Sequence, residues 1–322
     1  MRGARSQVRK VEGFVFSFFP IVGVLSSSIS RTRLFPFHFL IAFLLVSSAY
    51  AAFAQPLAAS ENAEPKPEAL NQLVREVVHN EIENQLHDNS LWCFREQKQE
   101  DGKPEKTVEV CQTKDGDIER LIAVNGLPIT ADQMKAEDQR VQKLISHPEQ
   151  LRAKQKKQNE DGEQVRTLLR VFPDAFQFQC ISDDGNIVKI NFKPNPSFHP
   201  ATRAAQVFHH MEGTLVIDRK QKRIAEVHGT LTSEVKFAGG LLGHLDKGGT
   251  FLVKSQQVAP GHWDATMMHV QMYGRALFFK TIAVRDKEIY SDYTPAPSGV
   301  SLQRVAEFLK KECDNVRTAS AK

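Results

Sequence analysis

The sequence predicts an α+β fold, one large antiparallel sheet packed on helices, with a charged helical segment inserted in it. Three observations carry that prediction. Beyond Pro173 the chain reads as successive extended segments joined by short turns, and short connections join antiparallel rather than parallel neighbours. Ahead of that region, Asp101-Gly102 and Asp115-Gly116 are strong hairpin signals between β-type runs. Helical periodicity is confined to a few stretches, with apolar residues recurring three and four apart.

Taken in order, Leu70, Leu73, Val74, Val77, Val78, Ile82 and Leu86 place one apolar face on a helix over Glu68–His87. Strands follow at Leu91–Glu96, Lys106–Thr113 and Ile118–Val124. After Asn125-Gly126-Leu127-Pro128, Thr130 is a plausible cap for a helix starting at Ala131. The segment 131–171 is strongly charged. His147-Pro148 and Asp161-Gly162 divide it into helices at Ala131–Ser146, Pro148–Glu160 and Glu163–Val171. Its run Lys154–Lys157 reads as a solvated helix face. Strands are then expected at Ala175–Ile181, Asn186–Lys193, Ala205–Asp218, Arg223–Glu234, Thr250–Ala259, Trp263–Tyr273, Ala276–Arg285 and Glu288–Thr294, before a last helix at Ser301–Glu312. No repeat and no internal linker divides this region, so residues 68–322 form one domain.

The first 54 residues read differently. Arg31 and Arg33 precede an apolar run from Leu34 to Val46, and Ser47–Ala54 is rich in small residues with an A-x-A site, the order of a secretory signal. Cleavage is expected after Ala54. The rival reading, an uncleaved anchor over Leu34–Ala54, is opposed by Pro36, His38 and the small-residue tail. Residues 1–30 are an N-terminal extension of the signal, and Gln55–Pro67, rich in Ala, Glu and Pro, is a disordered tether. The leader also holds six basic residues and one acidic. The totals of 42 and 38 thus fall to 36 and 37 beyond it, and the apparent charge of +4 vanishes. No built-in attraction to nucleic acid remains. The expected product is periplasmic or secreted, with a mature domain that does not span the membrane.

All four cysteines lie beyond the leader. A hairpin centred on Gly102 puts Cys93 and Cys111 opposite one another, where cross-strand Cβ atoms lie about 4.5–5.5 Å apart, near disulfide reach. Cys180 and Cys313 either pair by elimination or include a buried thiol. No C-x-x-C occurs, so zinc is disfavoured.

Catalytic signatures are weak. His209-His210-Met211-Glu212 lacks the i, i+4 histidine spacing of a zincin helix, and His199, His228, His244, His262 and His269 are scattered. Lys247-Gly248-Gly249-Thr250 opens a strand, whereas a phosphate loop enters a helix. The glycine-hinged loop before it carries Leu241, Leu242 and Leu245, which either contact a membrane, partner or ligand or fold inward as a plug. No G-x-S-x-G is present, and neither cofactor nor metal is expected.

Four phrases, Asn125-Gly126-Leu127-Pro128, Pro194-Asn195-Pro196-Ser197-Phe198, Met211-Glu212-Gly213-Thr214-Leu215-Val216-Ile217-Asp218 and Phe237-Ala238-Gly239-Gly240-Leu241-Leu242-Gly243, resemble an uncharacterised family of exported bacterial proteins. The phrase Glu-Gly-Thr-Leu-x-Ile-Asp with its following basic turn is also similar to periplasmic lipoprotein carriers and outer-membrane lipoprotein-sorting proteins of the Lol type. The resemblance covers roughly Glu68 to Thr294. It implies a curved, half-open barrel around helices, with an apolar concavity for acyl chains. The helical segment 131–171 and the Cys93–Cys111 pair depart from the carriers. On position, Leu215, Ile217, Phe237, Leu241, Leu242, Phe251, Trp263, Met268 and Phe278 are candidate cavity residues, against the alternative that they are core. The function expected is non-enzymatic binding of a lipid, acyl chain or other apolar ligand. An envelope interaction or sensor protein using the helical insertion or the leucine loop is the alternative, and a hydrolase stands third.

Overall fold

A computed structural model describes residues 67–320 except 203, 238, 239, 241, 242, 277–279, 298 and 300. The expected leader, and the tether up to residue 66, lie outside these residues. The chain forms helix α1 (Pro67–His87), strands β1 (Trp92–Glu100), β2 (Lys106–Cys111), β3 (Ile118–Val124) and β4 (Leu127–Pro128), then helices α2 (Ala131–Ser146) and α3 (Pro148–Ala175). Next come β5 (Phe176–Asp183), β6 (Ile187–Pro194), a 3-10 turn (Ala204–His210), β7 (Met211–Asp218) and β8 (Arg223–Leu231). The chain closes with β9 (Val235–Phe237), β10 (Gly243–Leu245), β11 (Thr250–Ala259), β12 (His262–Ala276), β13 (Lys280–Pro295) and α4 (Leu302–Ser320).

The strands make one 13-stranded sheet in the order β4-β3-β2-β1-β13-β12-β11-β8-β7-β6-β5, with β10 and β9 attached beside β12. Every pairing is antiparallel. The sheet is open, ending at β4 and β5. Helix α1 packs on both β5 and β8, three strands apart, so the sheet bends around it.

Local chemistry explains the joints. Asn125 and Gly126 both hold positive φ (49° and 73°), the geometry of a tight hairpin turn, and Asn125 Oδ1 accepts from Glu105 N–H at 2.9 Å. Thr130 caps α2 reciprocally with Gln133, as its position before Ala131 predicts. The glycine of the Glu-Gly-Thr-Leu phrase has a packing reason. Gly213 faces Gly229 across β7 and β8. A Cβ on Gly213 would come within 2.6 Å of the Phe192 ring, and one on Gly229 within 2.1 Å of the Phe251 ring. The two bare positions let both aromatic rings lie flat on the inner face.

Three expectations are corrected. Helix α3 runs unbroken through Asp161-Gly162, because Gly162 falls on the buried stripe Leu151, Gln158, Gly162, Val165, Leu169 and Phe172. Burial of that face outweighs the roughly 1 kcal/mol propensity cost of glycine. The expected strand Ala205–Asp218 begins only at Met211; before it a 3-10 turn buries Ala205, Val207 and Phe208. The expected strands at Ala276–Arg285 and Glu288–Thr294 are one strand, since β13 pairs with β12 through residues 280–289 and with β1 through 286–295. A bulge at Asp292, where φ is 56°, adjusts the register against β1. Of the two readings left open for the other cysteines, the buried thiol is the one found, and no bond joins Cys180 to Cys313. Cys180 lies on edge strand β5, Cys313 is buried on α4 against the opposite end of the sheet, and both are thiols.

The other pair is as expected. Cys93 and Cys111 are register partners with Cα atoms 4.1 Å apart and are joined by a disulfide. Gln112 N–H donates to the Trp92 carbonyl at 2.9 Å. Cys93 and Cys111 therefore occupy the adjacent non-hydrogen-bonded position, where opposed side chains come closest.

Candidate functional site

Alternation along the strands sorts residues onto two faces. On the inner face, Val188, Ile190 and Phe192 of β6, Leu215 and Ile217 of β7, Val227 of β8, Phe251 and Val253 of β11, and Met268, Val270 and Met272 of β12 join one buried core with α1 and α3. The side near β5 is filled by aromatic rings, with Phe176 4.8 Å from Phe172 and from Phe192, and 5.1 Å from Phe208. Farther along, the apolar wall continues onto Ile282 and Val284 of β13. Met268 and Ile282 keep 8% of their surface and Val284 keeps 6%, whereas Ile217 keeps none.

Four of the nine predicted cavity residues, Leu215, Ile217, Phe251 and Met268, thus share the inner face. Trp263 stands half-buried at the rim, where β12 begins. Leu241, Leu242, Phe278 and the side chain of Phe237 lie outside the described residues.

The inner face turns polar at the seam between β1 and β13. Counting inward-facing positions from Phe94 gives Glu96, Lys98 and Glu100; counting back from Tyr290 gives Glu288 and Asp286. The register sets them opposite one another, Glu96 with Tyr290, Lys98 with Glu288 and Glu100 with Asp286. Lys98 Nζ lies 2.9 Å from Glu288 Oε1 and 3.3 Å from Glu100 Oε1, and the Tyr290 hydroxyl donates to Glu288. Burial disfavours the Lys98 ammonium, but Glu288 outweighs it and raises its pKa. Burial also raises the Asp286 carboxyl to about 6, with Glu100 and Glu288 adding repulsion that Lys98 and Lys103 partly offset. The alternation Glu-x-Lys-x-Glu in β1 could have marked this strip, but without the β13 register it reads as a solvated face.

A second polar feature lies at the C-terminal end of α1. Here a cleft of about 460 Å³ opens between that helix end, Gln112, Arg223 at the start of β8, and the β11–β12 turn with Gly261, His262, Trp263 and Asp264. Its floor is tied by Glu81, which is fully buried on α1. Glu81 takes Arg223 Nε at 3.0 Å, Arg223 Nη2 at 2.8 Å and Ile224 N–H at 2.8 Å. Burial raises the Glu81 pKa, against the lowering effect of those three donors. His262 lies flat on Trp92, ring centroids 4.1 Å apart. Sequence spacing gave no signal for this cleft, because its residues come from four distant parts of the chain.

Among the described residues, His209 and His210 have local partners. His210 Nδ1 pairs with Ser233 Oγ at 2.7 Å, and His209 sits beside the Phe198 ring. Burial lowers the pKa of both, helped by His199 for His209 and by His209 for His210. Among the described residues no group of three or more His, Cys, Asp or Glu side chains is placed to hold a metal ion. No helix among them is long and apolar enough to cross a membrane. No protein-family profile, curated protein or solved structure matches the chain.

Proposed function

We propose that this protein is an exported, non-enzymatic binding protein that takes a lipid, acyl chain or other apolar ligand against the inner face of its open half-barrel. One observation carries the reading. The apolar wall runs without interruption from β6 to β13, while α1 packs on β5 and β8 at one flank of it. The wall residues with most remaining surface, Met268, Ile282 and Val284, are on β12 and β13, the side away from that flank. A chain slid along those strands would bury more of the surface already directed inward.

Native mass spectrometry of the protein purified from its own membrane-containing host tests this. Co-purified acyl species that leave the protein on collisional activation are expected. Repeated preparations carrying only the apo mass would contradict the reading.

A second reading, an envelope interaction or sensor protein, is favoured by the helical insertion. Helix α2 fully buries only Glu137 and Val141, and its Asp132, Lys135 and Lys143 are exposed. Replacing the exposed Asp132, Lys135 and Lys143 of α2 by Ala, which leaves the core side chains of α3 in place, should then abolish partner pull-down; unchanged capture would count against it.

A further inference from the structure

The cleft at the end of α1 has a one-sided electrostatic character that the apolar reading does not use. Its permanent cation, Arg223, is matched by Glu81 and lies over the Trp263 ring at 5.7 Å. Three more carboxylates, Glu83, Asp88 and Asp264, border the space, and the other basic side chains among the lining residues are the imidazoles of His87 and His262. Helix α1 ends here, so the carbonyl pole of its dipole adds negative potential in the same place.

Two buried polar groups in the cleft wall are left over by the fold. Both polar atoms of the Gln85 amide are buried without a hydrogen-bond partner, and so is Nε2 of His262, whose side chain is 11% exposed. The carboxylates nearest His262 are Asp264 at 3.6 Å and Asp88 at 3.7 Å, both beyond hydrogen-bond length. Native proteins rarely leave buried polar atoms unmatched, and a ligand is one way such atoms are satisfied. The carboxylates are also held in place. Ser90 donates its N–H and hydroxyl to Asp88 Oδ1, at 2.8 and 2.6 Å, and the Trp92 indole N–H donates to Ser90 Oγ at 2.7 Å. Asp264 Oδ1 accepts from Ala265 N–H at 2.6 Å.

We infer that this cleft is a binding site for a small organic cation, an alkylammonium that donates to Asp88, Asp264 and the Gln85 amide oxygen, with its methylene stem against Trp263. A bare metal ion fits less well, because among the described residues no trio of carboxylates or imidazoles converges on one point. The inference is independent of whether the inner face takes an apolar chain.

The chain's two tryptophans, Trp92 and Trp263, both flank the cleft, so intrinsic fluorescence reports on it directly. The intact chain is titrated with 1,4-diaminobutane and, as the uncharged analogue, 1,4-butanediol. Saturable binding of the diamine is expected, with the diol at least about tenfold weaker. Asp88→Asn and Asp264→Asn keep the oxygen that accepts from the neighbouring N–H groups, and each should weaken diamine binding about tenfold. An equal response to the diol, unchanged affinity in both variants, or no saturable signal up to about 10 mM diamine overturns the inference. Should either variant fail to fold, Glu83→Gln, on a half-exposed side chain, reads the same charge. A loss of about threefold supports the site and an unchanged affinity counts against it.

Discussion

The two ends of this sheet are stabilised in opposite ways. From β5 to β13 one face meets α1 and α3 in a continuous apolar core, and the strands alternate buried and exposed positions down to the solvent side. From β1 to β3 both faces carry buried apolar residues. Phe94 and Val110 belong to the main core, while Cys93, Cys111 and Ile118 form a second cluster with α2, α3 and α4 on the other side. That outer cover is thin in apolar contact and is fastened by charge. Arg120, 1% exposed on β3, pairs with Asp138 of α2, which also takes Lys310 of α4 at 2.9 Å. Glu137 of α2 accepts from Leu121 N–H at 2.8 Å and pairs with Arg140 at 2.7 Å. A helix with a narrow apolar stripe cannot dock by burial alone, so α2 is held on the disulfide-braced hairpin and α4 by the ion pairs of Asp138 with Arg120 and Lys310. The half-barrel instead carries the broad apolar face, on which Met268, Ile282 and Val284 keep 6–8% of their surface.

The contrast can be broken first at the aromatic centre of the inner core. Phe176→Ala removes a ring that packs against Phe172, Phe192 and Phe208, and should cost about 4 kcal/mol in urea unfolding. A loss under about 1 kcal/mol would mean the core is looser than described. The outer region should respond to its crosslink instead. Replacing both Cys93 and Cys111 by Ala, 18 residues apart, should cost about 3 kcal/mol. Limited proteolysis should then cut within β1–β3 before β11–β13. Next, Arg120→Met removes a buried guanidinium from between Ile118 and Ile122 and should cost about 2 kcal/mol. Hydrogen exchange of α2 should rise while α1 stays protected.

The smallest effect belongs to the seam. The Asp286 carboxyl titrates near 6 in the folded chain against an ordinary 3.8, so between those values the folded state holds more protons than the unfolded one. Stability therefore falls as pH rises through that window, and the cost is fully present above it. Asp286→Asn should remove that slope and gain about 1 kcal/mol at neutral pH, a value discounted because the group is only half-buried. Denaturation midpoints of both proteins between about pH 4 and pH 7 would show it. A steeper slope in the variant would contradict the assignment.

Much of this architecture was readable from residue order. The alternation of β11, the hairpin opposing Cys93 to Cys111, and the cap at Thr130 are each decided by neighbours close in sequence. Misreadings arose where tertiary packing overrode a local signal. Gly162 looks like a helix stop until its place on a buried stripe is known, and Asp286-Lys287 resembles a strand break until β12 and β1 are found on either side. Sites were less legible than elements for the same reason. Leu215, Ile217, Phe251 and Met268 could be assigned to the inner face by alternation. Glu81 and Arg223, or Asp88 and His262, come together only once the sheet is assembled against α1.

The central claim, that the inner wall of β11–β13 receives an apolar ligand, is tested most directly by hydrogen exchange with and without a saturating medium-chain fatty acid. Added protection concentrated in Thr250–Ala259, His262–Ala276 and Lys280–Pro295, with Trp92–Glu100 through Ile118–Val124 slowed far less, is the expected result. Unchanged exchange across β11–β13, or protection restricted to α2 and the β1–β4 end, would contradict it.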